Sequence, residues 1–290
     1  MSTDDDEFGG SFSPDGKTVY FSRSAPHSYH YAILESHFVN GEWSTPTIPA
    51  FSGRYTDSDP IYSPDGMRMF WSSDRPVDGK VKHDYDIWMV EKTANGRWSA
   101  PRHLPAPIAS DGSEYCASMA RDGTLYFSSS RDGGAFGVIQ AYRSRYVNGA
   151  WSTPENLSRE MNGADTTGAF YDLDVFVDPD QRFVLLGSLR AEGLGNYDLY
   201  ISWNRDGQWS KPFHPGAPIN SAARDYAPHI SPDGRYLFYT SERGFGLDTP
   251  SEPLNYQQLQ AQLHSTLNSS GNIYQVELSV LDSMARNKNP

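Results

Sequence analysis

Two aspartate pairs carry the chemistry that this sequence offers most directly. In each pair the second carboxylate follows the first at i+2, as in Asp57 and Asp59 and again in Asp172 and Asp174. Residues at i and i+2 of a strand lie on the same face. Two carboxylates roughly 5 to 10 Å apart can act as the acid and base of glycoside hydrolysis. Asp59 and Asp174, together with Glu7, are therefore candidate catalytic residues. The alternative is that they are solvated or hydrogen-bonded strand ends.

Histidines and tyrosines offer a second kind of chemistry. His229 shares the strand parity of these aspartates, and three imidazoles and a carboxylate could hold a divalent metal. No ligand-spacing motif supports such a site, so no cofactor is predicted. Tyrosine rings suit stacking on sugars or packing against a peptide. The metal candidates are His27, His30, His83 and His229, and the predicted binding set is His229, Asp59, Asp174, Tyr29, Tyr85 and Tyr197.

Composition excludes several classes of function. The net charge of −12, with no cluster of Lys or Arg, argues against nucleic acid as a partner. One cysteine, Cys116, excludes an intramolecular disulfide, and we expect a small buried side chain there. No apolar run approaches the roughly 20 residues of a membrane span. Residues 1–7 lack the basic start and apolar stretch of a signal peptide.

A recurring turn positions these residues. Ser13-Pro14-Asp15-Gly16 returns as Ser-Pro-Asp-Gly at 63 and 231, and related turns begin at 120 and 178. The proline ring fixes its own φ at a value that suits the turn, the Asp side chain hydrogen-bonds the backbone, and Gly adopts the positive φ that closes the turn. The flanking segments alternate and are rich in aromatic and β-branched residues, which indicates paired strands. The spacing of 50 to 58 residues therefore predicts a repeat protein.

A second signature divides each repeat into four strands. A Gly-x-Trp-Ser-x-Pro segment follows Asn or Asp at a tight hairpin, and its tryptophans, Trp43, Trp98, Trp151 and Trp209, are expected in the core. Four strands per unit predict an all-β, five-bladed antiparallel propeller. It would form one domain over 1–290, with blades at approximately 7–52, 53–108, 109–163, 164–220 and 221–281.

Aligning the repeats separates scaffold from function. Each inner strand has an acid at one register, and in four repeats an arginine ends the second strand, which predicts structural ion pairs. Glu7 has Ala25 at the arginine register, so we expect Glu7 to be free for another role. The loops opposite the Ser-Pro-Asp-Gly turns surround the channel and form the expected ligand face. The acids are Glu7, Asp57, Glu114, Asp172 and Asp225, and the arginines are Arg75, Arg131, Arg190 and Arg243.

The fifth repeat is irregular in two ways. It lacks the Gly-x-Trp-Ser-x-Pro strand, so we expect either an outer strand supplied from upstream of Met1 or a three-stranded blade. A helical insertion is expected at about 250–268, because Thr249-Pro250-Ser251-Glu252 matches a capping box and apolar residues follow at helical spacing. One amphipathic helix would then pack on or beside the propeller.

The repeat resembles the TolB-like propellers built from PD (WD40-like) repeats. The residues that carry the resemblance are Phe12-Ser13-Pro14-Asp15-Gly16, Tyr62-Ser63-Pro64-Asp65-Gly66 and Ile230-Ser231-Pro232-Asp233-Gly234. That family includes periplasmic scaffold proteins, peptidase propellers and oligosaccharide lyases, so the resemblance is specific for fold and weak for function. It usually has six blades and an added α/β domain, whereas this chain has five repeats and no second domain.

Two functions follow as expectations. The first is a non-enzymatic binding or scaffold propeller of the bacterial envelope or extracellular space, periplasmic or secreted, with a carbohydrate or protein at the loop-side channel mouth. It is favoured because no catalytic constellation is complete. The second is a carbohydrate-active enzyme, a glycoside hydrolase or a metal-dependent oligosaccharide lyase. It would use the channel carboxylates and His229. No Gly-x-Ser-x-Gly motif supports a peptidase.

Overall fold

The computed structural model confirms a five-bladed β-propeller. It describes residues 3–25, 28, 30–81, 84–131, 139–162, 171–244 and 252–288. Blade 1 contains β1 (Asp6–Phe12), β2 (Thr18–Ser24), β3 (Ala32–Val39) and β4 (Glu42–Trp43), and blade 2 contains β5 (Asp57–Tyr62), β6 (Arg68–Ser73), β7 (Asp86–Glu91) and β8 (Arg102–His103).

The remaining blades follow the same antiparallel order, with additions in blade 3. Blade 3 contains β9 (Glu114–Met119), β10 (Leu125–Ser129), β11 (Gln140–Ser144), a side hairpin of β12 (Tyr146–Val147) and β13 (Ala150–Trp151), β14 (Glu155–Asn156) and the helix α1 (Leu157–Asn162). Blade 4 contains β15 (Tyr171–Val177), β16 (Phe183–Leu189), β17 (Asp198–Arg205) and β18 (Gln208–Trp209). Blade 5 contains β19 (Asp225–Ile230), β20 (Tyr236–Ser241), α2 (Tyr256–Leu263) and β21 (Asn272–Glu277), and α3 (Ser279–Lys288) follows.

The recurring turns form as their sequence predicts. In the first, the Ser13 hydroxyl donates to Asp15 Oδ1 at 2.6 Å, and the Lys17 N–H donates to the same oxygen at 3.0 Å. Gly16 has φ +68°, and Gly66 and Gly234 repeat that value closely at +68° and +71°. The turns gather at one end of the channel, which we call the turn face. The opposite end is the loop face.

The second signature is less regular than expected. The Asn40–Gly41 hairpin has positive φ at both residues, and so do the hairpins at 148–149 and 206–207. At the fourth site only Gly96 has positive φ. Trp209 is buried, whereas the other three tryptophans are only half-buried. Trp98 and Trp151 nevertheless pack against core clusters.

Ion pairs and hydroxyl groups join each blade to the chain before it. Asp57 accepts from Trp71 Nε1, from the Ser73 hydroxyl at 2.7 Å and from Arg75 at 2.7 Å. The Arg75 guanidinium also donates to the Phe51 carbonyl. This arrangement confirms that the predicted acid and arginine series is structural, and its other members are Glu114 with Arg131, Asp172 with Arg190 and Asp225 with Arg243.

Blades 1 and 5 meet through backbone hydrogen bonds. The Glu7 N–H donates to the Gly271 carbonyl at 2.9 Å, and the Gly271 N–H donates to Asp6 Oδ1 at 2.7 Å. In the described residues blade 5 has three strands. These contacts close the ring between the first and last blades.

The helices differ from the expected insertion. The helix α2 is shorter than 250–268 and starts after Asn255, which forms the capping box with Gln258. The glutamate of the expected box, Glu252, lies outside it. Neither α1 nor α3 was predicted. Leu281 of α3 is buried among residues of blades 4 and 5. None of the described helices combines the length and apolarity needed to cross a membrane.

Candidate functional site

The candidate site lies where the inner strands depart from regular pairing. In four blades the residue two positions after the structural acid has positive φ: Gly9, Asp59, Cys116 and Ala227, at +65°, +56°, +49° and +48°. The strand register shifts at these points, which is the mark of a β-bulge. Left-handed backbone is costly for residues other than glycine and concentrates at functional sites. The bulge turns these residues into the channel.

Asp59, Cys116 and Asp174 converge in the channel. One possible ligand atom from each residue lies within 4.8 Å of the others. The Cys116 thiol donates to Asp174 Oδ1 at 3.3 Å. The cavity that these residues line with His229 is about 10 Å³. That volume is about the size of one water or ion. We call Asp59, Cys116 and Asp174 the channel cluster.

Asp174 is fixed by its neighbours. Its Oδ2 accepts the Ala227 N–H at 3.0 Å while Oδ1 accepts the thiol. It occupies space left by Gly187, since a Cβ at that glycine would lie 2.3 Å from Oδ2 and 2.8 Å from Tyr197 Cε1. Blade 4 leaves only one inner-strand residue, Leu173, unpaired at its register shift, whereas the other blades leave two. Both oxygens of Asp174 therefore have structural partners.

Asp59 is held less tightly. Its N–H donates to the Ser22 hydroxyl of blade 1 at 2.9 Å, and its carboxylate accepts the Ser58 hydroxyl at 2.9 Å. A Cβ at Gly9 would approach Asp59 Oδ1 to 3.2 Å, so the small residue in blade 1 leaves room for the carboxylate. Unlike Asp174, Asp59 is only partly buried.

Negative charge is unfavourable within the channel cluster. Burial, and then the neighbouring Asp174, raises the pKa of Asp59 to about 7. Burial also raises the pKa of Asp174, and burial followed by the two carboxylates raises that of the Cys116 thiol. Low solvation raises all three pKa values, and like charge adds to the increase at Asp59 and Cys116. Near neutral pH the cluster therefore retains protons unless a cation enters.

His229 lies on the turn-face side of the cluster. Its Nδ1 lies 3.1 Å from the Ala227 carbonyl oxygen, so Nδ1–H donates and Nε2 presents a lone pair. Nε2 is buried and has no hydrogen-bond partner among the described residues. Burial lowers the pKa of His229 to about 4. The imidazole lines both the small cavity and a cavity of about 310 Å³ that extends to the turns. It does not approach the loop face as its sequence position suggested.

Aromatic residues surround the loop-face mouth. Tyr85 and Tyr115 have ring centroids 5.3 Å apart, and Tyr171 meets Tyr197 edge to face at 6.1 Å. Tyr171 is 37% exposed, whereas Tyr197 is buried and its hydroxyl accepts the Leu173 N–H. On the other side Phe8 packs edge to face with Tyr31 at 5.3 Å. We call Tyr31, Tyr85, Tyr115, Tyr171 and Tyr197 the tyrosine rim.

Solved structures share this architecture. Neighbours include TolB-like propellers. A protein from Agrobacterium tumefaciens assigned to TolB matches at TM-score 0.53 with 18% identity, covering 94% of this chain and 78% of that one. A thermostable family-43 glycoside hydrolase matches at 0.53 with 15% identity, covering 82% and 83%. Hydrazine synthase of Kuenenia stuttgartiensis matches at 0.51 with 14% identity, covering 81% and 35%. No family model and no curated protein matches the chain.

These neighbours establish the fold alone at such identities. Their names range from TolB to a glycoside hydrolase and a hydrazine synthase. The assignment of this chain's repeats to the PD type stays a prediction from its own turns. The residues of the channel, rather than the fold, therefore carry the information about function.

The structure brings some of the predicted residues together and separates others. Asp59, Asp174, Tyr85 and Tyr197 surround one channel mouth. Glu7 is not free, because Arg23 lies opposite it across the strand pair and forms an ion pair at 2.9 Å. Glu7 also accepts the Thr3 N–H and hydroxyl. This pairing removes Glu7 from the catalytic candidates.

The histidine set does not assemble within the described residues. His30 is exposed. Among the described residues, only the channel cluster brings three possible metal ligands within 4.8 Å of one another, and neither His30 nor His229 belongs to it. Tyr29, His27 and His83 lie outside the described residues. The sequence pattern predicted a packing role for Cys116 and gave no signal for Tyr115. The signal for Cys116 was its register, two residues after Glu114, which is the position of Asp59 in blade 2.

Proposed function

We propose that this protein is a non-enzymatic binding propeller of the bacterial envelope or extracellular space that holds a carbohydrate at the loop-face mouth. The tyrosine rim is the observation that carries the proposal. Four of its five rings are at least partly exposed around one opening, and aromatic faces with polar hydroxyls suit sugar rings. These four are Tyr31, Tyr85, Tyr115 and Tyr171. Arg224, stacked over Tyr197 and Tyr226, supplies a charged donor beside them.

The state of the carboxylates favours binding over catalysis. Asp174 directs both oxygens at donors inside the channel, so a substrate would have to displace the Cys116 thiol or the Ala227 N–H before either oxygen could react. The space between Asp174 and Asp59 is about 10 Å³. A sugar ring does not fit there. The resemblance to periplasmic propellers supports the proposed compartment.

A glycan array with matched variants tests this function. We expect wild type to bind a defined glycan class and Tyr171→Ala to bind it about fivefold more weakly, since a lost aromatic contact costs about 1 kcal/mol. Tyr146→Ala is the control, because Tyr146 is 57% exposed on the β12–β13 hairpin away from the channel. No glycan bound, or equal loss in both variants, would contradict the carbohydrate proposal. Capture of a protein that Tyr171→Ala releases would instead identify a protein ligand.

One observation favours a second function, glycoside hydrolysis. Oxygens of Asp59 and Asp174 lie within 4.8 Å, near the roughly 5 Å separation of retaining glycosidases. Asp59, with its raised pKa, would be the acid. Oligosaccharide turnover by wild type that Asp59→Asn abolishes, with binding intact, would establish this enzyme. Binding without turnover in both proteins would exclude it.

A further inference from the structure

The channel cluster has nearly the geometry of a coordinated ion. Cys116 Sγ lies 3.3 Å from Asp174 Oδ1, and the cluster's ligand atoms all lie within 4.8 Å of one another. In a tetrahedral zinc site with sulfur at about 2.3 Å and oxygen at about 2.1 Å, the sulfur-to-oxygen edge is about 3.6 Å. Small side-chain movements would therefore bring these atoms to coordination distance.

His229 supplies an independent observation that points to a ligand. The residue is 4% exposed, lines the same cavity and leaves Nε2 without a partner among the described residues. Its Nδ1–H is engaged by the Ala227 carbonyl, which fixes the tautomer that places a lone pair on Nε2. A backbone carbonyl at one ring nitrogen is the usual support for a histidine that binds metal through the other.

The cavity selects a small cation. A volume of about 10 Å³ accommodates one ion or water and excludes an organic ligand. Two carboxylates and a thiol around it favour positive charge. The sulfur disfavours calcium and magnesium, which prefer oxygen ligands, and favours zinc and similar ions.

We infer that Asp59, Cys116 and Asp174 bind one divalent transition-metal ion of the zinc type, and that the His229 side chain, which lies outside their convergent group, moves toward the ion and becomes the fourth ligand. The thiol proton, and any proton held by a coordinating carboxylate, leaves to solvent when the ion binds. The four ligands come from blades 2, 3, 4 and 5. Four protein ligands would close the coordination sphere, as in structural zinc sites. The ion thus fastens four inner strands together. This site does not depend on the proposed carbohydrate function.

Cobalt binding tests the site without any activity. Chelator-treated protein is titrated with Co²⁺ and then with Zn²⁺, and absorption spectroscopy and calorimetry monitor both titrations. We expect one Co²⁺ per chain, a thiolate-to-cobalt charge-transfer band, and loss of that band when Zn²⁺ displaces it. Absence of the band at saturating Co²⁺ would overturn the inference.

Matched variants locate the ion. Cys116→Ser should abolish the charge-transfer band, and His229→Gln should weaken binding at least about tenfold while the band persists at high Co²⁺. His37→Gln is the control, because His37 is exposed on β3 and should leave affinity unchanged. Zn²⁺ should raise the melting temperature of wild type and not of Cys116→Ser. Unchanged Zn²⁺ affinity in both cluster variants would overturn the inference. If Cys116→Ser fails to fold, His229→Gln and the wild-type spectrum still decide it.

Discussion

At the scale of single residues, position in the bulge decides whether a carboxylate is structural or available. Asp57 and Asp59 are two residues apart, yet Asp57 is buried in a hydrogen-bond network with Arg75 while Asp59 enters the channel. The positive φ at Asp59 causes this difference. Simple strand alternation would have placed both side chains on one face. The i+2 spacing therefore pointed to a residue that does enter the channel, although strand alternation alone does not explain why Asp59 enters it and Asp57 does not.

Glu7 provides a prediction about pH. Burial raises the pKa of Glu7 above its ordinary value of 4.5, against the lowering effects of Thr3 and Arg23. The unfolded chain then releases this proton at lower pH than the folded protein does. The protonated side chain's contribution to the free energy of unfolding is complete below about pH 4.5 and is lost as pH rises through the raised pKa. At this residue, stability therefore falls rather than rises with pH.

Urea unfolding of wild type and Glu7→Gln between about pH 4 and pH 7 checks this sign. We expect the two proteins to be similar at pH 4 and wild type to lose stability relative to Glu7→Gln as pH rises. Glu42→Gln, at an exposed position, should follow wild type throughout. A stability difference that grows in the opposite direction would mean that the Arg23 ion pair outweighs burial.

The channel residues were only partly predictable from the sequence. Alignment of the repeats on their turns places Asp59, Cys116 and Asp174 at the same register, two residues after the structural acid. In the structure these three residues converge. The alignment could not show that Asp174 turns toward Cys116, because that depends on the missing side chain of Gly187 and on the single unpaired residue at the register shift of blade 4. The tautomer of His229 was not predictable from the sequence either, because it depends on the contact with the Ala227 carbonyl.

At the scale of elements, the blade joints depend on buried ion pairs. Arg190 lies 2.7 Å from Asp172, with side chains 2% and 0% exposed. The hydroxyls of Ser158 and Ser188 also donate to Asp172. A charged pair that is fully buried makes each partner depend on the other. Recurrence in the sequence predicted this role correctly.

Removing one partner should be far more costly here than at the surface. We expect Arg190→Ala to lower the free energy of unfolding by about 3 to 5 kcal/mol, since Asp172 would be left as an unpaired buried charge. Arg182→Ala is the matched control, because the Arg182 side chain is 64% exposed in its pair with Asp178 and should cost about 1 kcal/mol or less. Equal losses in denaturant titrations would refute a specific role for burial. Adding Asp172→Asn should recover part of the Arg190→Ala loss.

The helix α3 gives a second prediction at this scale. Leu281 is 2% exposed and packs in a cluster that includes Leu237 and Tyr239 of blade 5. We expect Leu281→Ala to lower stability by about 2 to 5 kcal/mol, through lost burial and the cavity left behind. Leu259→Ala should change it by about 0.5 kcal/mol or less, because Leu259 is 38% exposed on α2. Thermal unfolding of both variants measures the contrast. A small effect at Leu281 would mean that α3 is not part of the core.

At the scale of the whole molecule, the fold was predictable because each blade repeats its local signals. The turn, hairpin and strand patterns agree from blade to blade. When local propensities, turn residues and hydrophobic patterns all indicate the same structure, the fold can be predicted from the sequence. The absence of a fourth-strand signature in blade 5 was also visible. The short contacts by which blades 1 and 5 meet were not, because they involve backbone groups and one side chain far apart in sequence.

Ring closure makes a prediction for the whole molecule. Gly271 lies where a Cβ would meet Asp6 Oδ1 at 2.5 Å and Tyr226 Oη at 2.9 Å. Gly271→Ala should therefore force blades 1 and 5 apart, and Asp6→Ala should remove one of their hydrogen bonds. Because the ring closes there, we expect faster hydrogen exchange in β1 and β21 together in both variants, while the inner strands of blades 2 and 3 change least. Asp15→Ala, confined to the blade 1 turn, should affect only residues near 13–18. Exchange that rises in one blade alone would show that the two blades open independently.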